Sequence, residues 1–355
     1  MRIALVTESF YPAVDGATTT VRNIADRLVD TGHDVLLVAP APGLATYRGV
    51  RVVRVAARRK PGREVRDALT DFAPDLVHVT SPGTLGRKAL KHARRLAIPT
   101  LSVQQSPLAE ATDYWRMKVA DRSDRVLVTC EWMRGRLAEL GVEGHVWTPG
   151  VDGAGFGPQL RDARLHDAWS RSRSSGETSV VVGYVGALRR GNDVRRLTEV
   201  AKVPGVRLVV IGDGPQKPWL RMHLPGARFI DTPTRGELAV TMASLDVLVH
   251  PGTVATDCHT LREAAASGVP VVAPGTGGPV DVVEHDETGL LYDPASRSGL
   301  RDAVARLAGD EVRRAVLGYQ ARASIEVRDW TVAVDELIRL HYAPLARPSQ
   351  TPQVA

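Results

Sequence analysis

Three stretches of this chain combine glycine with the end of an element in a way that suits a phosphorylated ligand. Gly16 follows the loop Glu8-Ser9-Phe10-Tyr11-Pro12-Ala13-Val14-Asp15 and stands just ahead of a helical stretch. Exposed N–H groups and the helix dipole favour an anion there, and glycine lets a phosphate come close to the backbone. Pro274-Gly275-Thr276-Gly277-Gly278-Pro279 is a second such turn, leading into a helix read over 280–285. The third is Val209-Val210-Ile211-Gly212-Asp213-Gly214-Pro215, a strand ending in a glycine turn. None matches G-x-G-x-x-G, and no Gly-Lys-Ser/Thr is present, so dinucleotide enzymes and P-loop NTPases lack their signatures. Cys258-His259 has metal-ligand residue types but no second Cys/His cluster near it, and no metal is expected.

The elements that must position these turns are strands alternating with helices. Strands are expected at 3–6, 34–39, 50–55, 76–79, 100–103 and 125–128, and again at 179–184, 207–211, 227–230, 247–250 and 271–273. Val21, Ile24, Ala25 and Leu28 share one helical face, and Gly32 ends that helix. This is an α/β pattern of parallel units. A chain of 355 residues favours two domains. The expected division is a first doubly wound domain over 1–155, a linker over 156–178 containing Arg171-Ser172-Arg173-Ser174-Ser175-Gly176, and a second over 179–325. A terminal helix within 326–343 carries Trp330, Val334, Leu337, Ile338 and Tyr342 at helical spacing and is expected to return to the first domain. The tail 344–355 is expected to be disordered. Two such domains place a ligand in the cleft between them.

Composition narrows the partners. With 43% hydrophobic and 24% charged residues the chain is an ordinary globular protein. Its 2 cysteines fit a reducing cytosol, and no signal peptide or membrane span is legible. The charge of +6 comes from 46 basic residues, only six of them lysines. At 5% aromatic content, without an aromatic-basic repeat, nucleic acid is not expected as a partner. Two cationic stretches, Arg51, Arg54, Arg58, Arg59, Lys60, Arg63 and Arg66, then Arg87, Lys88, Lys91, Arg94 and Arg95, read mainly as solvated faces. Their sharper reading is peripheral attachment to an anionic membrane at the cytoplasmic face, presenting a lipid-linked or lipid-headgroup acceptor.

Taken in order, several motifs resemble the retaining glycosyltransferases of family 4, which have the GT-B architecture of two Rossmann-like domains. They are Thr7-Glu8-x-Phe10-Tyr11-Pro12 with Gly16, Gly32-His33-Asp34-Val35, Val38-Ala39-Pro40, Pro149-Gly150-Val151-Asp152, Gly212-Asp213-Gly214-Pro215, Glu263-Ala264-x-Ala266-Ser267-Gly268-Val269-Pro270 and Gly289-Leu290-Leu291-Tyr292-Asp293-Pro294. The resemblance implies a nucleotide-sugar donor of GDP or UDP type as substrate, no further cofactor, and transfer with retained configuration to a glycan, lipid or small-molecule acceptor. It implies that Glu263 accepts hydrogen bonds from the donor ribose; the plain alternative is a glutamate in the first helical turn. The chain departs from the family where Ala255 replaces the glutamate that meets the donor sugar, and where Ala187 and Asn192 replace an arginine and a lysine at the diphosphate. Arg189 and Arg190, in the same loop, are candidate substitutes, as is Asp257 beside Ala255; the plain alternative for the two arginines is solvated loop charge. The alternative is a non-catalytic relative that binds sugar nucleotides or glycans. Gln104-Gln105-Ser106-Pro107 looks like a worn form of a motif in GDP-mannose-dependent members, which leans the donor towards GDP-mannose.

Overall fold

The structure is a computed structural model describing residues 1–13, 15–56, 61–108, 112–171 and 178–346. It divides into two units, Met1–Gly150 with Trp330–Ala355, and Val151–Asp329.

The first unit is built on an eight-stranded sheet. Its strands are β1 (Arg2–Val6), β2 (Asp34–Pro40), β3 (Thr46–Tyr47), β4 (Val50–Val55), β5 (Leu76–Val79), β6 (Thr100–Gln104), β7 (Arg125–Val128) and β8 (His145–Val146), and their order is β3-β4-β2-β1-β5-β6-β7-β8. Only the β3–β4 pair is antiparallel among the described residues. Helices α1 (Gly16–Asp30), α2 (Pro61–Phe72), α3 (Thr84–Arg95), α4 (Thr112–Lys118) and α5 (Glu131–Glu139) fill the crossovers. Both faces of the central strands are covered, so β1 and β2 carry continuous apolar runs, over residues 3–6 and 35–39, and successive residues serve opposite cores. Ile3 and Leu5 pack with α1, while Ala4 and Val6 pack with α2 and α3. The face predicted for α1 is buried, and Gly32, at φ 75°, ends it.

The chain returns to this unit at the helix Trp330–Leu337, which continues as a wider π-type turn, Ile338–Tyr342. Trp147 Nε1 donates to Ala333 O at 2.8 Å, and Arg27 donates to both oxygens of Asp335 at 2.7 and 2.6 Å. Residues 344–346 form a turn, and the rest of the tail lies outside the described residues.

The second unit contains α6 (Ala163–Ser170), β9 (Val180–Val185), α7 (Leu197–Val200), β10 (Val206–Ile211), α8 (Lys217–His223), β11 (Arg228–Ile230), α9 (Arg235–Ala243), β12 (Val247–Val249), α10 (His259–Ala266), β13 (Val271–Pro274), β14 (Gly289–Tyr292), α11 (Gly299–Ala308) and α12 (Glu311–Ile325). Its six strands run parallel in the order β11-β10-β9-β12-β13-β14.

Three expectations need correction. The segment 156–171 is no linker: Phe156 and Trp169 are buried in the core of the second unit. Arg161 donates to Leu245 O at 2.9 Å, and His166 meets Asp246 at 2.9 Å. Leu160 and Leu165 pack against the same core, but Gly157-Pro158 and the charged residues between the two leucines interrupt the apolar pattern. Positions 172–177 lie outside the described residues. The helix expected at 280–285 is a single 3-10 turn, Gly278–Asp281. Three strands went unread: β3 and β8 have two residues each, and β14 begins on a glycine.

Candidate functional site

In an open parallel sheet, ligands sit beyond the carboxyl ends of the strands where the order reverses. In the second unit that point lies between β9 and β12. The loop after β9 is held by close backbone packing. A Cβ on Gly212 would lie 2.1 Å from Gly186 O, and one on Gly214 2.6 Å from Leu188 O. Leu188 N–H donates to Asp213 O, and Gln216 N–H to Leu188 O, each at 2.9 Å. The glycines of Gly212-Asp213-Gly214-Pro215 therefore serve the neighbouring loop. Arg189 and Arg190 project from that loop, exposed. Asn192 Nδ2 donates to Ala187 O at 2.8 Å. Asp193, in the left-handed region, accepts from Thr253 N at 3.1 Å and Thr253 Oγ1 at 2.8 Å, which joins the β9 loop to the β12 loop.

The glycine-rich turn after β13 packs on that same β12 loop. Cβ atoms on Gly277, at φ 71°, and Gly278 would lie 3.0 Å from Ala255 O and 2.7 Å from Thr256 O. Gly278 N–H donates to Ala255 O at 2.7 Å and Gly275 N–H to Tyr292 O at 2.8 Å. The expectation that this turn cradles a phosphate is corrected at these two positions, because their donors are already used. Thr276 sits half-buried between them.

Glu263 is the fifth residue of α10, and no acidic residue occupies that helix's first turn. The helix follows Cys258, whose backbone is left-handed at φ 49°. Buried Arg262 donates to Asp257 O and pins the approach to it. Glu263 is 13% exposed, with Oε1 3.6 Å from Arg235 Nη1. Arg235 also donates to Asp152 Oδ2 at 3.1 Å and lies over the Phe156 ring. Burial pushes the Glu263 carboxyl up to about 7; Arg235 opposes this, and the charges of Asp152 and Asp257 add to it. Asp257 Oδ2 is 3.7 Å from His259 Nε2.

The structure thus assembles Glu263 and Asp257 with two residues that sequence reasoning did not select, Asp152 and Arg235. Asp152 had a signal in the Pro149-Gly150-Val151-Asp152 motif; Arg235 had none. His250, at the end of β12, was also missed. Burial pushes its imidazole down to about 4, against the pull of Asp257 and Asp193, and its Nε2 has no hydrogen-bond partner among the described residues.

Gly16 lies in the first unit, and its helix end is already met by a carboxylate. Asp15 Oδ1 accepts from Thr18 N at 2.8 Å and Oδ2 from Ser9 Oγ at 2.7 Å, so an incoming phosphate would face a like charge. The order of this sheet reverses between β1 and β5. Beyond β5 and β6 lies a pocket of about 280 Å³ whose lining includes Ser81, Gly83, Arg87, Gln104, Ser106 and Tyr114. Trp115 Nε1 donates to Gln104 Oε1 at 2.8 Å and closes one wall. Of the first cationic stretch, Arg54 is no solvated charge: it donates to Tyr11 O at 2.7 Å and Leu44 O at 3.0 Å, while Arg58, Arg59 and Lys60 lie outside the described residues. No described helix is long and apolar enough to cross a membrane.

Comparison with known proteins agrees with this geometry. Residues 14–154 match the family described as Glycosyltransferase Family 4, and residues 166–324 match Glycosyl transferases group 1. The chain is 38% identical to a GDP-mannose-dependent alpha-mannosyltransferase of Mycolicibacterium smegmatis, covering 98% of this chain and 99% of that protein. It is 32% identical to a protein of the same name from Corynebacterium glutamicum, over 99% of this chain and 90% of that one. Among solved structures, Anabaena HepE in complex with UDP and glucose is similar with a TM-score of 0.81, at 18% identity, over 97% of this chain and 100% of that one. With two parallel doubly wound units and these relatives, the chain belongs to glycosyltransferase family 4 and is a glycosyltransferase of GT-B fold.

Proposed function

We propose that this enzyme transfers mannose from GDP-mannose with retained configuration. The observation that carries the reading is the likeness, at 32 to 38% identity over nearly the whole chain, to proteins named GDP-mannose-dependent alpha-mannosyltransferases. GDP-mannose carries its sugar in α linkage, so an α product means retention. In this reading Glu263 accepts the two ribose hydroxyls, and Asp257 faces the sugar in place of the glutamate missing at Ala255. The leaving diphosphate gains charge as the glycosidic bond breaks, and pre-placed donors that meet that charge lower the barrier. Arg189 and Arg190, exposed beyond β9, supply it in place of the residues lost at Ala187 and Asn192. No metal or prosthetic group takes part. The test is product analysis with a panel of GDP and UDP sugars: mannosylated product and released GDP support the reading, and turnover confined to UDP sugars overturns it.

The enzyme also attaches to the anionic cytoplasmic face of a membrane, which would present a lipid-linked or lipid-headgroup acceptor. This rests on the cationic face of α3. Lys91 is held below the ordinary lysine range, chiefly by Arg95, with burial, Lys88, Arg122 and Lys118 adding to it. Crowded like charges are relieved by an anionic surface, worth about 1 kcal/mol per basic residue near the membrane. Flotation with vesicles containing phosphatidylglycerol, against pure phosphatidylcholine, tests it. Equal binding to both removes the argument.

A further inference from the structure

We propose that Arg235 is the positioning residue for Glu263, holding its carboxylate ionised and open for the ribose hydroxyls of the donor. The inference rests on the reading that Glu263 binds the ribose. The start of α9 is locked by a capping box, in which Thr234 N–H donates to Glu237 Oε2 at 2.8 Å, and Arg235 is its first helical residue. From there the guanidinium reaches two carboxylates unequally. It donates a hydrogen bond to Asp152 Oδ2 at 3.1 Å, while Asp152 Oδ1 is held by Gly155 N–H at 2.8 Å. Its approach to Glu263 Oε1 is 3.6 Å, an ion pair without a hydrogen bond. Asp152 thus takes the directional contact and Glu263 receives the field, so the Glu263 oxygens stay open.

That division matters because a carboxyl group accepts through both of its oxygens only when ionised; protonation turns one of them into a donor, and the charge-assisted bonds are the stronger ones. The charged groups facing Glu263 are Arg235 from α9, Asp152 from the segment that opens the unit, and Asp257 from the β12 loop. Burial and both aspartates favour the protonated form, and Arg235 alone among them favours the anion. The guanidinium also lies over the Phe156 ring, 5.2 Å from its centroid, a further contact that restrains the arginine.

The test uses the full chain and compares GDP with its 2′,3′-dideoxy analogue by calorimetry between about pH 5.5 and 8.5. UDP and its dideoxy analogue replace them should UDP be the nucleotide bound. The ratio of the two affinities isolates the ribose contacts and cancels the titration of the phosphates. In the wild type this ratio is greatest above pH 7 and falls by up to about tenfold per pH unit below it. In Arg235→Met the fall moves to higher pH and the ratio at pH 7 is several-fold smaller, with Arg235→Lys between the two. A wild-type ratio and midpoint in Arg235→Met, or an equal loss of affinity for both nucleotides with no shift in midpoint, overturns the proposal. Failure of the ribose reading looks different: the wild type itself would not distinguish the two nucleotides, or Glu263→Gln would keep the ratio. Either result removes the basis for Arg235 as well.

Discussion

His78 Nδ1, on β5, lies 2.5 Å from the hydroxyl of Tyr342, 264 residues further along the chain. Both side chains are fully buried, and the π-type turn at Ile338–Tyr342 brings the phenol to the imidazole. Arg125 Nη1 donates to Leu340 O at 2.7 Å beside them. Replacing Tyr342 by Phe leaves a buried ring nitrogen without a partner. We expect a loss of about 1–3 kcal/mol in urea unfolding. An unchanged midpoint would show that this contact does not hold the returning segment.

Acid should weaken the fold through buried histidines. Burial pushes His78 down to about 3, and His341 and His250 down to about 4. Because these folded values lie below the ordinary 6.5, the unfolded chain binds more protons in between. Their contribution is complete above pH 6.5 and is lost progressively as pH falls towards 4. Thermal unfolding across this range should show a falling midpoint, with a shallower slope in His250→Asn.

Glu263 has the opposite sign. Its carboxyl is raised to about 7 by burial, so the folded state binds the extra proton between about 4.5 and 7, and its ionised form costs stability above pH 7. Glu263→Gln should raise stability at pH 8, by on the order of 1–3 kcal/mol, while weakening nucleotide binding. Loss of both stability and binding would mark Glu263 as a structural residue instead.

The diphosphate prediction concerns Arg189 and Arg190. Removing one well-placed donor to a developing anion typically costs about 10²–10³-fold in turnover. The double variant Arg189→Ala, Arg190→Ala should lose at least that much, with its unfolding midpoint unchanged because both side chains are exposed. A chelator should leave wild-type turnover intact. Full activity in the double variant, or loss of activity with the chelator, contradicts this account.

A last prediction separates loop packing from ligand contact. Gly277→Ala places a Cβ 3.0 Å from both Ala255 O and Thr253 O at a left-handed backbone. It should destabilise by more than about 1 kcal/mol and weaken donor binding by shifting the β12 loop. Gly226→Ala, which meets nothing within 4 Å, is the neutral control.

The alternation of strands and helices, the continuous apolar runs of β1, β2 and β10, and the buried face of α1 could all be read from the sequence. Each follows from a local period and from coverage on both sides of a sheet. Glu263 was legible through the ordered motifs around it. What could not be read was how distant groups use the atoms that those motifs supply. Gly277 and Gly278 looked like space for a phosphate, yet they admit the backbone of 253–256. Gly16 looked like an open helix end, yet Asp15 caps it at the Thr18 N–H and places a carboxylate there. Arg235 stands 83 residues from Asp152, and nothing in local spacing relates either to Glu263. Periodicity is a property of a few consecutive residues. The charge of a buried carboxylate and the availability of an amide depend on neighbours that only the folded chain brings within a few ångströms.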